Sequence, residues 1–216
     1  MANFKLVIFD FDGTLADSFP FFLRTFNRLV SHYQFKRIEP EDVDRLRGLD
    51  VRQMINYVGI PAWRLPFVAR KFIRLMGDSL DQIQLFDQIR PLLKQLSAQG
   101  VQLAIVSSNS EENIRRVLGP EIASLIRYYR CGTAIFGKSR QFRKVATQSR
   151  ISPRDILCVG DEVRDMEAAE AEKMAFGAVT WGYTRSDVFS AYANIRLFHT
   201  VDDICRAVLG KHLTID

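Results

Sequence analysis

The pattern of apolar and polar positions divides the chain into two unlike parts. Leu6-Val7-Ile8-Phe9 is apolar at every position, without the alternation of a half-buried strand. Such a run predicts a strand covered on both faces in a parallel sheet. Beyond it the spacing turns helical. Phe19, Phe22, Leu23, Phe26, Leu29 and Val30 form one apolar stripe, behind Ser18 as a cap and Pro20 in the first turn. A short helix is predicted from Pro40 to Gly48, and another between Asp50 as N-cap and Gly59 past its end. A fourth covers Arg64 to Met76, with Arg70, Lys71 and Arg74 facing outward. Residues 16–87 therefore read as an all-helical insert, too long for a single crossover, and residues 81–87 return the chain to the core.

From residue 88 helix and strand alternate. Helices are predicted over Ile89–Gln99, Glu111–Leu118, Gln141–Ser149, Met166–Lys173 and Val201–Leu209. Strands are predicted over Val101–Val106, Cys131–Phe136, Ile156–Val159, Phe176–Trp181 and Ile195–Phe198. Repeated βα units of this length predict an α/β fold with a doubly wound parallel sheet and helices on both faces. The expected division is a core of residues 1–15 and 88–216, with the helical insert between.

Composition narrows the class. With 216 residues, 47% hydrophobic and 25% charged, the chain suits a globular protein with one sizeable core. No apolar run approaches the ~18 residues of a membrane span. The early apolar run leads straight into Asp10, so no signal peptide is expected. Cys131, Cys158 and Cys205 lack paired spacing, so neither a disulfide framework nor a zinc site is expected, and a reducing cytoplasm fits. The formal charge of +5 is spread along the chain. A mildly positive surface drawing in small phosphorylated anions accounts for it as well as nucleic acid does, and no nucleic-acid or membrane partner is expected.

Candidate chemistry sits just past strand ends, where open α/β sheets bind ligands. Asp10 and Asp12 follow the first strand and precede Gly13 and Thr14. Two carboxylates at ~4 Å repel by roughly 4 kcal/mol at an effective dielectric of about 20, so they call for a cation or a shared proton. A capped glycine turn is the plainer reading of Asp-x-Asp-Gly alone. Ser107-Ser108-Asn109-Ser110 opens a helix beginning Glu111-Glu112, which suits either a cap at Ser110 or an anion held at a helix N-terminus, and both can hold together. Lys138 follows an apolar stretch and a glycine, and by itself reads as a surface charge. Asp161 and Asp165, four apart across a strand-to-helix turn, can reach one point if the helix begins between them. Arg47 beside Gly48, and His32, are candidates within the helical insert only, and solvated side chains are the plainer reading of both. His199 and His212 need no catalytic role.

Together these stretches resemble the four motifs of the haloacid dehalogenase superfamily, in its phosphatase branch. Asp-Phe-Asp-Gly-Thr-Leu-Ala-Asp-Ser resembles the first motif, Ser107 the second, Lys138 the third, and Gly-Asp-x-x-x-Asp the fourth. Val179-Thr180-Trp181-Gly182-Tyr183 resembles a stretch frequent in phosphoglycolate-phosphatase-like members. Ser139, where many relatives have Pro, and Glu172-Lys173, where Ala-Gly is common, depart from the pattern. The resemblance implies a cytoplasmic hydrolase, a monomer or homodimer with a helical cap over residues 16–87. It would release phosphate from a small phosphorylated metabolite through an aspartyl-phosphate on Asp10. Asp12 would be general acid and base, and Gly13, Thr14, Ser107, Ser108 and Lys138 would hold the phosphoryl group. Asp10, Asp12, Asp161 and Asp165 would hold Mg²⁺. Asp12 argues against the dehalogenases and phosphonatases of the superfamily, whereas a sugar-phosphate mutase or a catalytically silent relative stays open.

Overall fold

A computed structural model describes residues 3–33, 35–132, 137–192 and 195–214, with the backbone alone for residues 30–32. The first strand, β1 (Leu6–Phe9), is buried at all four positions, as its unbroken apolar run requires. A two-residue strand β2 (Ala16–Asp17) leads into the helical segment: α1 (Phe19–Tyr33), α2 (Val43–Arg47), α3 (Val51–Val58) and α4 (Leu65–Gly77). A second short strand, β3 (Gln84–Leu85), brings the chain back and pairs antiparallel with β2. Thereafter come α5 (Ile89–Ala98), β4 (Gln102–Val106), α6 (Glu111–Leu125), β5 (Ile126–Arg130), α7 (Lys138–Ser149), β6 (Ile156–Gly160), α8 (Val163–Ala171), β7 (Ala175–Val179), β8 (Arg196–Phe198) and α9 (Val201–Leu209).

The six long-range strands lie in the order β5-β4-β1-β6-β7-β8, and every adjacent pair is parallel. The chain winds outward on one side of β1 through β4 and β5, then on the other through β6, β7 and β8. That reversal opens a crevice beyond the carboxyl end of β1, between β4 and β6. Alternate residues of β1 feed two cores. Val7 and Phe9 pack with α5, α6 and α9 residues such as Leu92, Ile114 and Ile204, while Leu6 and Ile8 pack with Phe142, Val145 and Met166 of α7 and α8. The helical segment holds a third cluster, built on Phe26, Phe35, Ile38, Leu46, Val58, Ile60 and Val68.

Local rules set most boundaries. Asp50 caps α3 in a reciprocal box with Gln53, and Gly59 ends it in the left-handed region at φ 77°. α6 runs past the expected end at Leu118, because the chain kinks at Gly119 (φ 76°) and restarts at Pro120, a residue suited to a first helical position. A strand forms at Ile126–Arg130, ahead of the one expected over Cys131–Phe136; of that span residues 131 and 132 are in no strand, and residues 133–136 lie outside those described. β5 is the sheet edge, half-open to solvent, so its Ile-Arg-Tyr-Tyr-Arg sequence lacks the apolar run that marks the inner strands. α7 begins three residues earlier than its periodicity suggests, at Lys138, and α8 begins at Val163 instead of Met166.

Past the end of α8, Lys173 sits at φ 57°, the left-handed conformation that glycine adopts without steric cost. A residue with a side chain is strained in this conformation. A Lys173→Gly variant is expected to gain up to about 1 kcal/mol in chemical denaturation. An unchanged or lowered midpoint would show that the lysine side chain compensates.

Candidate active site

Asp10 continues the line of β1, its N–H donating to the Val159 carbonyl of β6 at 2.9 Å. The chain then turns back tightly: the Phe11 carbonyl accepts from both Leu15 and Ala16 N–H at 2.9 Å. Gly13 makes this turn at φ 75°, and a methyl group there would overlap the Asp161 carboxylate and the Tyr183 ring. β6 ends at Gly160, and α8 starts two residues after Asp161, which puts Asp165 in its first turn. Gly160 and Gly182 also lie where a side chain would overlap Asp165 and Asp161 respectively. One carboxylate oxygen from each of Asp10, Asp161 and Asp165 comes within 4.8 Å of the others, and all three residues are buried.

Lys138 enters this cluster from the first turn of α7. Its Nζ is 2.6 Å from Asp10 Oδ2 and also pairs with Asp165 Oδ1. Burial works against its ammonium, but Asp10 and Asp165 outweigh that and hold the pKa above the ordinary lysine value. Lys138 and the nearby Arg164 do not balance Asp10, Asp161, Asp165 and Glu162. Burial, with Glu162, Asp10 and Asp165 adding to it, pushes Asp161 well above the usual carboxylate range. Asp165 is pushed up to about 7 by burial, with Lys138 pulling back and Asp10 adding to the push. Asp165 Oδ2 is buried without a hydrogen-bond partner. Asp161 has both oxygens occupied, Oδ1 accepting from the Thr14 hydroxyl at 2.9 Å and Oδ2 from the Tyr183 N–H at 2.7 Å. Excess negative charge, an orphaned carboxylate oxygen and an all-oxygen donor set fit a hard divalent cation.

Asp12 stands apart from the cluster. Its Oδ2 accepts from the Asn109 amide at 3.1 Å, and Oδ1 is buried without a partner although the residue keeps some exposure. Burial first, then the Asp10 charge, raises its pKa to about 6 against the pull of Ser18, Asn109 and Lys138. Ser107, at the carboxyl end of β4, is buried, and its Oγ accepts the Asn109 N–H at 3.2 Å. Ser108 is partly exposed beside it, and Ser110 caps α6 by accepting the Asn113 N–H at 3.2 Å.

The structure thus gathers Asp10, Asp161, Asp165 and Lys138, and sets Asp12 and Ser107 at neighbouring strand ends. Of Gly13 and Thr14, expected at the phosphoryl group, the Thr14 hydroxyl donates to Asp161 and the Gly13 N–H donates to the Ala16 carbonyl at 2.9 Å. Arg47 corrects the reading of a solvated side chain. It is part-buried, and its guanidinium donates to the Gly182 carbonyl at 2.7 Å and the Tyr183 carbonyl at 3.2 Å. The side chain of His32 lies outside the described residues. His212 is exposed and pairs with Asp202, away from the site. Asn109, Tyr183 and Ser18, whose hydroxyl meets that of Tyr183 at 3.0 Å, lie within stretches singled out above, but no role beside the acids is expected of them from the sequence. The two departures at positions 139 and 172 answer each other. Ser139 Oγ donates to Glu172 at 3.0 Å, and Arg143 grips the same carboxylate through two contacts at 2.9 and 2.8 Å. This pairing ties together the helices that carry Lys138 and Asp165.

The doubly wound sheet and its buried acid cluster define a hydrolase-type centre at the switch point of an α/β core. The chain belongs to the haloacid dehalogenase-like hydrolases, whose family model matches residues 7–179. It is 33% identical over 205 residues to a phosphoglycolate phosphatase of Synechococcus elongatus, spanning 94% of this chain and 97% of that one. It is 28% identical over 222 residues to the tyrosine-protein kinase PtkA of Mycobacterium tuberculosis, spanning 95% and 72% respectively. A solved haloacid dehalogenase-like hydrolase of Streptococcus pneumoniae shares the fold with a TM-score of 0.77 at 17% identity, over 94% of this chain and 97% of that one.

Removing one partner of a buried ion pair leaves the other charge uncompensated, which costs about 3–5 kcal/mol. Lys138→Met is expected to lose stability on that scale in urea denaturation of the metal-free protein. A loss under about 1 kcal/mol would mean that the acids already share protons and have little need of the lysine.

Proposed function

We propose that this chain is a Mg²⁺-dependent phosphatase acting on a small phosphomonoester of the phosphoglycolate kind through an aspartyl-phosphate intermediate. The observation that carries the reading is the Asp10 carboxylate, buried at the mouth of β1 and paired with Lys138 at 2.6 Å beside two further acids. The near full-length likeness to the Synechococcus phosphatase supports the substrate class. Residues 16–87 are read as a cap over the site, with the core in residues 1–15 and 88–216.

In this mechanism an Asp10 oxygen attacks phosphorus and the ester P–O bond breaks. The departing oxygen takes a proton from Asp12, whose pKa near 6 leaves a share of it protonated close to neutrality. Asp12, now ionised, takes a proton from water as that water attacks phosphorus and the bond to Asp10 breaks, which releases inorganic phosphate and restores both acids. Lys138 Nζ and the Ser107 hydroxyl share the charge of the non-bridging oxygens, and positioning of this kind supplies most of the rate in phosphoryl transfer. Asp10, Asp161 and Asp165, with the main chain at Asp12, would hold Mg²⁺, which when bound neutralises phosphoryl charge. Thr14 and the Tyr183 N–H keep Asp161 oriented for that task.

Phosphate release from p-nitrophenyl phosphate and a panel of phosphomonoesters tests this reading. Release is expected in Mg²⁺ and not in EDTA, to be abolished in Asp10→Asn and to fall about 10²–10⁴-fold in Asp12→Asn. Interconversion of isomers primed by a bisphosphate, or turnover of nothing by folded protein, would overturn it. So would transfer from ATP to tyrosine, the activity named for the mycobacterial relative, without release from any monoester.

A further inference from the structure

The segment following β7 makes contacts in two directions. Towards the core, the Tyr183 N–H donates to Asp161 Oδ2 at 2.7 Å, and Gly182 lies so close that a side chain would overlap the Asp161 Cβ. Towards the helical segment, the Gly182 and Tyr183 carbonyls both accept from the Arg47 guanidinium, at the end of α2. The Arg47 carbonyl in turn accepts the Arg185 N–H at 2.8 Å, and the Arg185 guanidinium pairs with Asp44 at 2.9 Å. The Tyr183 ring packs edge-on to Phe19 with centroids 4.9 Å apart, and its hydroxyl meets Ser18. The same peptide groups that hold Asp161 are therefore held from the other side by α1 and α2.

We infer that residues 182–185 form a clasp that links docking of the helical segment to the cation affinity of Asp161, with Arg47 as its positioning residue. The inference rests on the reading of Asp161 as a Mg²⁺ ligand. Tyr183 can fix Asp161 only while its own peptide is fixed, and Arg47 is the side chain that spans both carbonyls. Without the Arg47 guanidinium the segment keeps the Tyr183 bond to Asp161, the Ser18 contact and the Arg185 bonds to α2, but loses the grip on the Gly182 and Tyr183 carbonyls that sets the direction of the peptide facing Asp161. Partners that orient a metal ligand commonly contribute 10–100-fold to metal affinity. Linkage makes the effect reciprocal: Mg²⁺ at Asp161 must tighten docking of α2 by the same factor.

The test measures Mg²⁺ binding without substrate, by titration calorimetry and by the fluorescence of Trp181, whose indole N–H donates to the Thr14 carbonyl at 3.2 Å. Arg47→Ala is expected to weaken Mg²⁺ at least about 10-fold. Arg47→Lys should weaken it as well, since a lysine cannot span two carbonyls in the same way. Arg45→Ala is the control, because Arg45 lies on the same helix but pairs with Asp42 and covers the Tyr57 ring, both inside the helical segment. It should bind Mg²⁺ as wild type does. In hydrogen exchange, Mg²⁺ should slow the amides of residues 43–48 and 182–185 in wild type and in Arg45→Ala, and in neither Arg47 variant. Wild-type affinity in both Arg47 variants, or Mg²⁺-dependent protection that survives in them, would overturn the clasp alone. Wild-type protein that binds no Mg²⁺ would overturn the metal reading and the clasp with it.

Discussion

Three buried carboxylates, only two of them paired with the one buried lysine, are the constraint on which the rest of the site depends. Such a cluster is unfavourable by itself, and the surrounding structure is arranged to hold it in place. Glycines stand at positions 13, 160 and 182 because side chains there would occupy the acids' own space. Thr14 and Tyr183 occupy the oxygens of Asp161, and Lys138 enters from α7 to lie between Asp10 and Asp165. The parallel sheet supplies the rigidity. Asp10 and Asp161 extend adjacent strands whose register pairs Phe9 with Val159, so their separation is fixed by the strand spacing of the sheet. The strand order then leaves an opening above them, because β4 and β6 flank β1 and send their following helices to opposite faces.

What could be read from the sequence follows from how local each signal is. Asp10, Asp12, Asp161 and Asp165 announce themselves because strand, glycine turn and acid sit within a few residues of one another. The helices of the inserted segment were legible for the same reason, down to the cap at Asp50 and the left-handed glycine at position 59. Asn109, Tyr183 and Arg47 were not, because each acts through a partner distant in the chain. Arg47 in particular looks like any other arginine at a helix end until Gly182 is brought beside it, 135 residues later. β5 escaped because an edge strand needs no continuous apolar run. The departures at Ser139 and Glu172 read separately as tolerable substitutions, yet in the fold they are one hydrogen-bonded unit with Arg143.

The helical segment reaches the acids from two sides. On one, α2 holds the 182–185 segment against Asp161. On the other, the Asn109 amide that donates to Asp12 also contacts Met76 Sδ at 2.7 Å near the end of α4, while Asn113 donates to the Ile73 carbonyl at 3.0 Å. The acid proposed for proton transfer and the acid proposed for the cation thus each have a route to a different helix of the same segment. The pKa of the Asp12 carboxyl is raised first by its removal from water, so its hold on a proton depends on how closely it stays covered.

The β2–β3 ribbon has a consequence of another kind. Ala16 pairs with Leu85 and Asp17 with Gln84, so the chain leaves the core and re-enters it at neighbouring points about one strand spacing apart. An element whose two ends already meet can change in length without separating the points at which the chain leaves and rejoins the core. The ribbon thus acts as a hinge-free doorway, keeping the entry to the strand ends of the core fixed whatever lies between its two short strands.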